Sequence, residues 1–319
     1  MQIFFVLLII LAVLAAILAA GSLTLFANAV YRGAKRDKMP TDSVLPPPES
    51  YEGKRRRQNL EAEKLRESRQ LQPVEIQSAD GLKLRGNFLA AEQPTRKIVL
   101  SIHGYRCSGL REWGLFAGYY HRRGVHLLMP DDRAHGASEG KYIGFGWLDR
   151  LDILRWCDYL CERFGPDCEI LLHGISMGAA AVMMASGEAQ LPPQVKGIVA
   201  DCGFTCAWDE LRYRMRADYS FRTPILLWAA DKLCQKRTGY SLKEASALEQ
   251  IKKCKTPVLF IHGDEDDYVP TEMVYQLYTA CEAPKMLLIQ RGAIHANSYL
   301  TNPAQYEKTL EEFFRLIEF

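Results

Sequence analysis

Between Met1 and Tyr31 the chain carries no charged side chain, and from Ile3 to Ala20 it is almost purely apolar. A run of that length predicts a helix able to cross a bilayer, which needs ~20 residues. Ala27-Asn28-Ala29 offers a cleavage-like site, but the leading Lys or Arg of a signal peptide is missing and the apolar run is too long for one. Arg32, Lys35, Arg36 and Lys38 follow, a bias that keeps the C-terminal side in the cytoplasm. The pattern then changes. From Lys38 to Pro73 apolar residues are sparse, Pro46-Pro47-Pro48 makes a stiff break, and Lys54 to Arg69 is a charged run with only Leu60 and Leu65 at helical spacing. This reads as a solvated spacer, with Lys54, Arg55, Arg56 and Arg57 available to anionic lipid.

From Val74 onward two periods take over. Val74 to Gln77 and Leu82 to Leu89 alternate as strands around Ala79-Asp80-Gly81, a hairpin signal. Short apolar runs at Ile98 to Ile102, Val125 to Met129, Ile170 to Leu172, Val195 to Ala200, Pro257 to Ile261 and Met286 to Gln290 then alternate with helical stretches. The helices are expected near Trp113 to Arg123, Trp147 to Phe164, Met177 to Ala185, Thr271 to Glu282 and from Pro303 to the end, the last capped by Asn302. Such alternation predicts an α/β fold with a mostly parallel sheet covered on both faces. The chain thus divides into an anchor over 1–31, a linker over 32–72 and a folded domain over 73–319, with an insertion at about 205–250.

In a sheet of this kind ligands sit at the carboxyl ends of the strands. The polar residues that follow the apolar runs fall there: His103-Gly104-Tyr105, Asp131-Asp132-Arg133, Ser176, Asp201, His262 to Asp266, and His295. Composition sharpens the picture only by exclusion. The chain has 319 residues, 24% charged and 48% hydrophobic, with a net charge of +2, so nothing in the balance argues for nucleic acid. Nine cysteines without framework spacing suggest reduced thiols. Cys157 and Cys161 are four apart on a predicted helix, yet no His or Cys cluster nearby completes a metal site, and no cofactor motif is present.

The chemistry centres on Glu169 to Ala180, where an apolar strand leads through Gly174-Ile175-Ser176-Met177-Gly178 into an Ala/Met-rich helix. This G-x-S-x-G pattern between strand and helix presents a serine hydroxyl on a strained turn, with the Met177 N–H at the helix N-terminus as half of an oxyanion hole. A serine needs a base within hydrogen-bond reach, and histidine suits the task. Of seven histidines, His295 is the best placed, in the loop after the last strand; His103, His173 and His262 precede glycines at strand ends and are expected to brace loops. The orienting acid is expected at Asp266, with Asp264, Asp267 and Asp201 as rivals. The second oxyanion donor is expected at the Tyr105 N–H.

From about residue 74 onward the chain resembles an α/β-hydrolase, most of all the serine aminopeptidase-like, or Hydrolase_4, branch. SIHGY, PDDRAHGASEGKYIGFG, HGISMG, TPVLFIHGDEDDYVP and GAIHANSY carry the resemblance. It implies Ser176 as nucleophile, Asp266 as acid, His295 as base, and oxyanion N–H groups at Tyr105 and Met177. Ala134 departs from the glycine often found there, and the lipase-type HGGG is absent.

The expected function is therefore a membrane-anchored serine hydrolase cleaving an ester or thioester of an apolar acyl group, without metal or cofactor. Trp208, Tyr213, Met215, Tyr219, Phe221, Leu226, Leu227 and Trp228 either wall an acyl pocket or form a layer packed on the core. Amide or peptide cleavage, a tethered scaffold that kept the fold, and a cofactor-independent lyase are the alternatives.

Overall fold

A computed structural model describes residues 2–32, 50–219 and 224–319. Lys35, Arg36, Lys38, Pro46 to Pro48 and Phe221 lie outside the described residues, as does the side chain of Tyr219. In chain order the elements are α1 (Gln2–Ala29), α2 (Tyr51–Glu67), β1 (Leu71–Gln77), β2 (Lys83–Leu89), β3 (Lys97–Ile102), α3 (Gly109–Arg122), β4 (His126–Pro130), α4 (Asp149–Phe164), β5 (Glu169–Ile175) and α5 (Met177–Ser186). They continue as β6 (Val195–Asp201), α6 (Ala207–Tyr219), α7 (Pro224–Thr238), α8 (Ala247–Ile251), β7 (Val258–Gly263), α9 (Glu272–Ala280), β8 (Lys285–Gln290), α10 (Ser298–Thr301) and α11 (Pro303–Leu316).

The strands form one sheet in the order β1-β2-β4-β3-β5-β6-β7-β8, parallel from β4 to β8 with β2 antiparallel to both neighbours. This is the fold of an α/β-hydrolase. The period of two along each central strand decides which layer a side chain joins. Ile98, Leu100, Ile170, Leu172, Ile198, Val258 and Phe260 face one apolar cluster with α4, α5 and α9. Val99, Leu171, Val199, Leu259 and Ile261 face another with α3 and α11. All ten residues of α5 are buried, so the helix behind Ser176 is a core element. Asn302 caps α11 by accepting the Gln305 N–H, with Pro303 at its start.

Both segments ahead of β1 pack on the folded domain more than an anchor and a spacer would. α2 is no solvated spacer: Gly53, Lys54, Gln58 and Ala62 are buried, and Ala62 meets Gly114 of α3 where a Cβ would lie 3.1 Å from the Ala62 nitrogen. The close approach lets polar stems pack where a spacer would leave them in water. The end of α1 is also docked. Phe26 and Val30 are buried, Ile143 N–H donates to Val30 O at 2.7 Å, and Arg32 N–H donates to Lys141 O at 2.8 Å. Gly21 lies against Leu226 of α7. The first turns of α1, from Ile3 to Leu14, present exposed apolar side chains, and the helix is long and apolar enough to cross a membrane.

Candidate active site

The turn between β5 and α5 has no room for side chains beside the serine. A Cβ on Gly174 would lie 2.2 Å from Gly178 O, and one on Gly178 would lie 2.2 Å from Ile102 O. Ser176 takes φ 57° and ψ −117°, a left-handed conformation that costs of order 1–3 kcal/mol and that the surrounding strands must impose. Its own N–H is tied to Asp201 O at 2.8 Å. The hydroxyl is thereby fixed at the carboxyl edge of the sheet.

Three loops converge on it. Ser176 Oγ lies 2.8 Å from His295 Nε2, and His295 Nδ1 lies 2.7 Å from Asp266 Oδ2. The other carboxylate oxygen, Oδ1, accepts the N–H groups of Tyr268 at 3.0 Å and Val269 at 2.8 Å. Burial works against ionisation of Asp266, yet His295 and His262 beside it hold its carboxyl well below the ordinary range. The Tyr268 ring stacks on the imidazole of His295 with centroids 4.9 Å apart, and the Arg214 guanidinium covers Tyr268 in turn. The third loop carries Gly104 and Tyr105. A Cβ on Gly104 would lie 3.4 Å from Ser176 Cβ, so this backbone passes directly beside the nucleophile, while Met177 opens α5 on the other side. An N–H at the first turn of a helix has no carbonyl of that helix to bond.

The rival acids are placed elsewhere. Asp264 accepts the Gly292 N–H at 2.6 Å, and Asp267 is exposed and gives its carbonyl to Tyr213 and Arg214. Asp201 is buried in a polar chain beneath the site. Tyr120 OH donates to His173 Nδ1 at 2.6 Å, His173 Nε2 lies 3.0 Å from Tyr306 OH, and that hydroxyl donates to Asp201 Oδ2 at 3.0 Å. Burial lowers the His173 pKa to about 3, so the ring is neutral and links the two tyrosines. His103 and His135 brace loops: the Asp132 N–H donates to His103 Nε2 at 3.0 Å, and the Arg106 N–H donates to His135 Nε2 at 3.1 Å.

His262, expected to brace a loop, sits with its Nε2 3.2 Å from Asp266 Oδ2 and 2.9 Å from Val269 O, so it holds the loop of Asp266. Sequence reasoning missed two supports. Gln58 donates to the buried Glu112 at 2.5 Å, with Lys54 3.9 Å away. The Tyr105 hydroxyl reaches Ala29 O at 2.8 Å, and Arg106 donates to Asn28 O. The last turn of α1 therefore ties down the loop beside Ser176. Cys107 lies in the same cavity, but burial pushes its thiol up to about 12, which keeps it protonated at neutral pH. Of the described residues expected to wall an acyl pocket, none lines this cavity of about 860 Å³. Met215 and Leu227 are buried in the core, Leu226 meets α1, and Trp228 is 52% exposed.

Comparison with known proteins places this geometry. Residues 148–315 match the model of the prolyl oligopeptidase family. The uncharacterized protein YqkD of Bacillus subtilis is 34% identical over 241 residues, covering 75% of this chain and 77% of YqkD. The chain belongs to the prolyl oligopeptidase family. The motifs resembled the serine aminopeptidase-like branch, and the common ground is the α/β-hydrolase fold. Among solved structures, the Pyrococcus furiosus esterase Pf2001 superposes with a TM-score of 0.62 at 22% identity, over 77% of this chain and 91% of that one. Pyrococcus horikoshii acylaminoacyl peptidase gives a TM-score of 0.55 at 20% identity, over 77% of this chain and 41% of that one. This family member is a hydrolase of the peptidase S9 and esterase type.

Proposed function

We propose that the protein is a membrane-anchored serine hydrolase that cleaves an ester or thioester by acyl transfer, with residues 1–31 as anchor. The observation that carries the reading is the unbroken line from Ser176 Oγ to His295 at 2.8 Å and from His295 to Asp266 at 2.7 Å, mounted on a strained turn. Ser176 Oγ attacks the carbonyl carbon as its proton passes to His295 Nε2, and the new charge on oxygen is met by the N–H groups of Tyr105 and Met177. Collapse breaks the bond to the leaving oxygen or sulfur, which takes the proton from Nε2. Water then adds by the same route, releasing the carboxylic acid and restoring Ser176. Asp266 keeps the imidazole in the tautomer that accepts at Nε2 and stabilises it when charged. The basic residues after α1 support a cytoplasmic domain.

Peptide or amide cleavage is the second reading, favoured by the family match and by the acylaminoacyl peptidase among the structural neighbours. Full-length protein in neutral detergent, assayed on p-nitrophenyl esters and on peptide p-nitroanilides beside Ser176→Ala, separates the two. Ester turnover is expected, falling roughly ten-thousandfold in Ser176→Ala. Faster cleavage of the anilides would hand the assignment to the second reading. A folded wild type that neither turns over substrate nor takes a fluorophosphonate label would leave a tethered scaffold.

A further inference from the structure

The cavity in front of Ser176 is far more cationic than the chain as a whole. Among the described residues it is lined by Arg32, Lys54, Arg55, Arg106, Arg111 and Arg214, against the carboxylates of Glu112 and Asp267. The chain itself is nearly neutral at +2, so the concentration of basic side chains among the described lining residues is local. Glu112 is already engaged by Gln58 and faces Lys54. The arginines nearest the end of α1 are held without being neutralised. Arg32 donates to Ser138 O at 2.6 Å and to Gly136 O at 2.7 Å, and Arg106 donates to Asn28 O. Among the described residues neither pairs with a carboxylate. Carbonyl acceptors fix a guanidinium in position but leave its charge available to a ligand, and a charged cleft with protein walls focuses that field.

Resting on the hydrolase reading above, we infer that this cationic wall is a phosphate-binding subsite. The substrate is then an acyl ester or thioester that carries phosphate on its leaving group, since an apolar acyl chain gains nothing from these side chains. The position of the wall supports this. Arg32 follows the docked last turn of α1, so the subsite is tied to the helix whose outer turns present apolar side chains, and a membrane-resident acyl compound carrying phosphate is one source of its ligand. A soluble acyl thioester of a phosphorylated cofactor, such as an acyl-coenzyme A, presents the same chemistry from the water side.

The test uses the full chain in neutral detergent with three substrates sharing one octanoyl chain: octanoyl-glycerol, octanoyl-glycerol 3-phosphate and octanoyl-coenzyme A. A phosphate-bearing substrate is expected to show kcat/KM at least about tenfold above the neutral glyceride, as charge-assisted hydrogen bonds to phosphate would give. That preference should shrink as salt rises from about 0.05 M to about 0.5 M. Preference for the glycerol phosphate assigns a lipid source, preference for the thioester a soluble one. In Arg106→Ala and in Arg55→Glu, an exposed site where folding is not at stake, the ratio of phosphate-bearing to neutral substrate should fall roughly tenfold. A wild type that prefers the neutral glyceride, or a ratio unmoved by both variants, overturns the proposal while leaving the hydrolase standing. If no ester is turned over, calorimetric titration of Ser176→Ala with octyl phosphate decides without catalysis. Binding that weakens in the additional Arg55→Glu background upholds the subsite, and absence of binding overturns it. Fluorophosphonate labelling reports separately on the hydrolase reading.

Discussion

Ser176 is strained because Gly174, Gly178 and the Asp201 carbonyl leave its backbone no alternative, and the motif alone makes that legible. The candidate base was legible from chain order, because of the histidines at that sheet edge His295 alone follows every candidate acid. The candidate acid was expected at Asp266, but sequence alone left Asp264, Asp267 and Asp201 as rivals. What selects Asp266 over its neighbours is that the N–H groups of Tyr268 and Val269 and the ring of His262 hold its carboxylate, a matter of loop geometry. Asp266→Asn keeps that shape but favours the wrong imidazole tautomer, so kcat should fall roughly a thousandfold or more with little change in melting temperature. A fall in stability without a fall in kcat would mean that Asp266 only braces the loop. His173 gives a test by pH. Its folded pKa of about 3 lies below the unfolded value near 6.5, so on acidification the unfolded chain gains a proton that the folded protein refuses. The stability of the wild type relative to His173→Phe should therefore decline by about 1.4 kcal/mol for each pH unit below about 6.5, all other titrations cancelling. A difference that stays flat from pH 7 to pH 5 in urea unfolding would refute the neutral buried ring.

The sheet and its flanking helices could be read from the sequence because each uses one simple period. Central strands are continuous apolar runs, and α4, α9 and α11 follow with polar outer faces. Helix α2 was hidden for the opposite reason. It packs on α3 through Ala62 and Gly114, small residues that leave no hydrophobic stripe, and buries the stems of Lys54 and Gln58. The insertion was undecidable for a related reason, since the aromatic and aliphatic residues of α6 and α7 suit a pocket wall and a packed layer equally well. In the structure α7 turns towards α1. Lys54 makes the role of α2 measurable. It is 5% exposed and faces Glu112, whose carboxyl burial tends to raise but which Lys54 and its other neighbours hold below the ordinary value. Lys54→Met leaves that carboxylate without its cation, and unfolding free energy should drop by about 2–3 kcal/mol, the lower end for breaking a buried pair because the ions are 3.9 Å apart. Double replacement with Glu112→Gln should recover most of the loss. No loss in Lys54→Met, which keeps an unbranched apolar stem, would mean that Lys54 contributes through its aliphatic stem alone.

At the scale of the whole molecule, the N-terminal helix and the hydrolase body form a single structure, which a division into anchor, spacer and domain does not convey. Only the outer turns of α1 stand clear; from Gly21 onward the helix meets α7, and Phe26, Val30 and Arg32 join the loops around the active site. The same apolar stretch, long enough to cross a membrane, therefore has an exposed part and a docked part, and hydropathy could report only the first. Replacing residues 2–18 by an unrelated apolar helix should leave melting temperature and ester turnover close to wild type. Removing residues 2–49, which keeps α2, exposes the pocket that Phe26 and Val30 filled. Those two side chains alone are worth about 3–5 kcal/mol by burial. It also frees the Tyr105 hydroxyl and the Arg106 guanidinium from the carbonyls of Ala29 and Asn28. Because the Tyr105 backbone lies beside Ser176, the loss should appear in kcat as well as in stability, even on a small soluble ester that needs no membrane. If the truncated protein keeps full kcat on p-nitrophenyl acetate, the end of α1 serves attachment only, and the loop beside Ser176 is held by His135 and the turn closed between Gly104 and Cys107 without it.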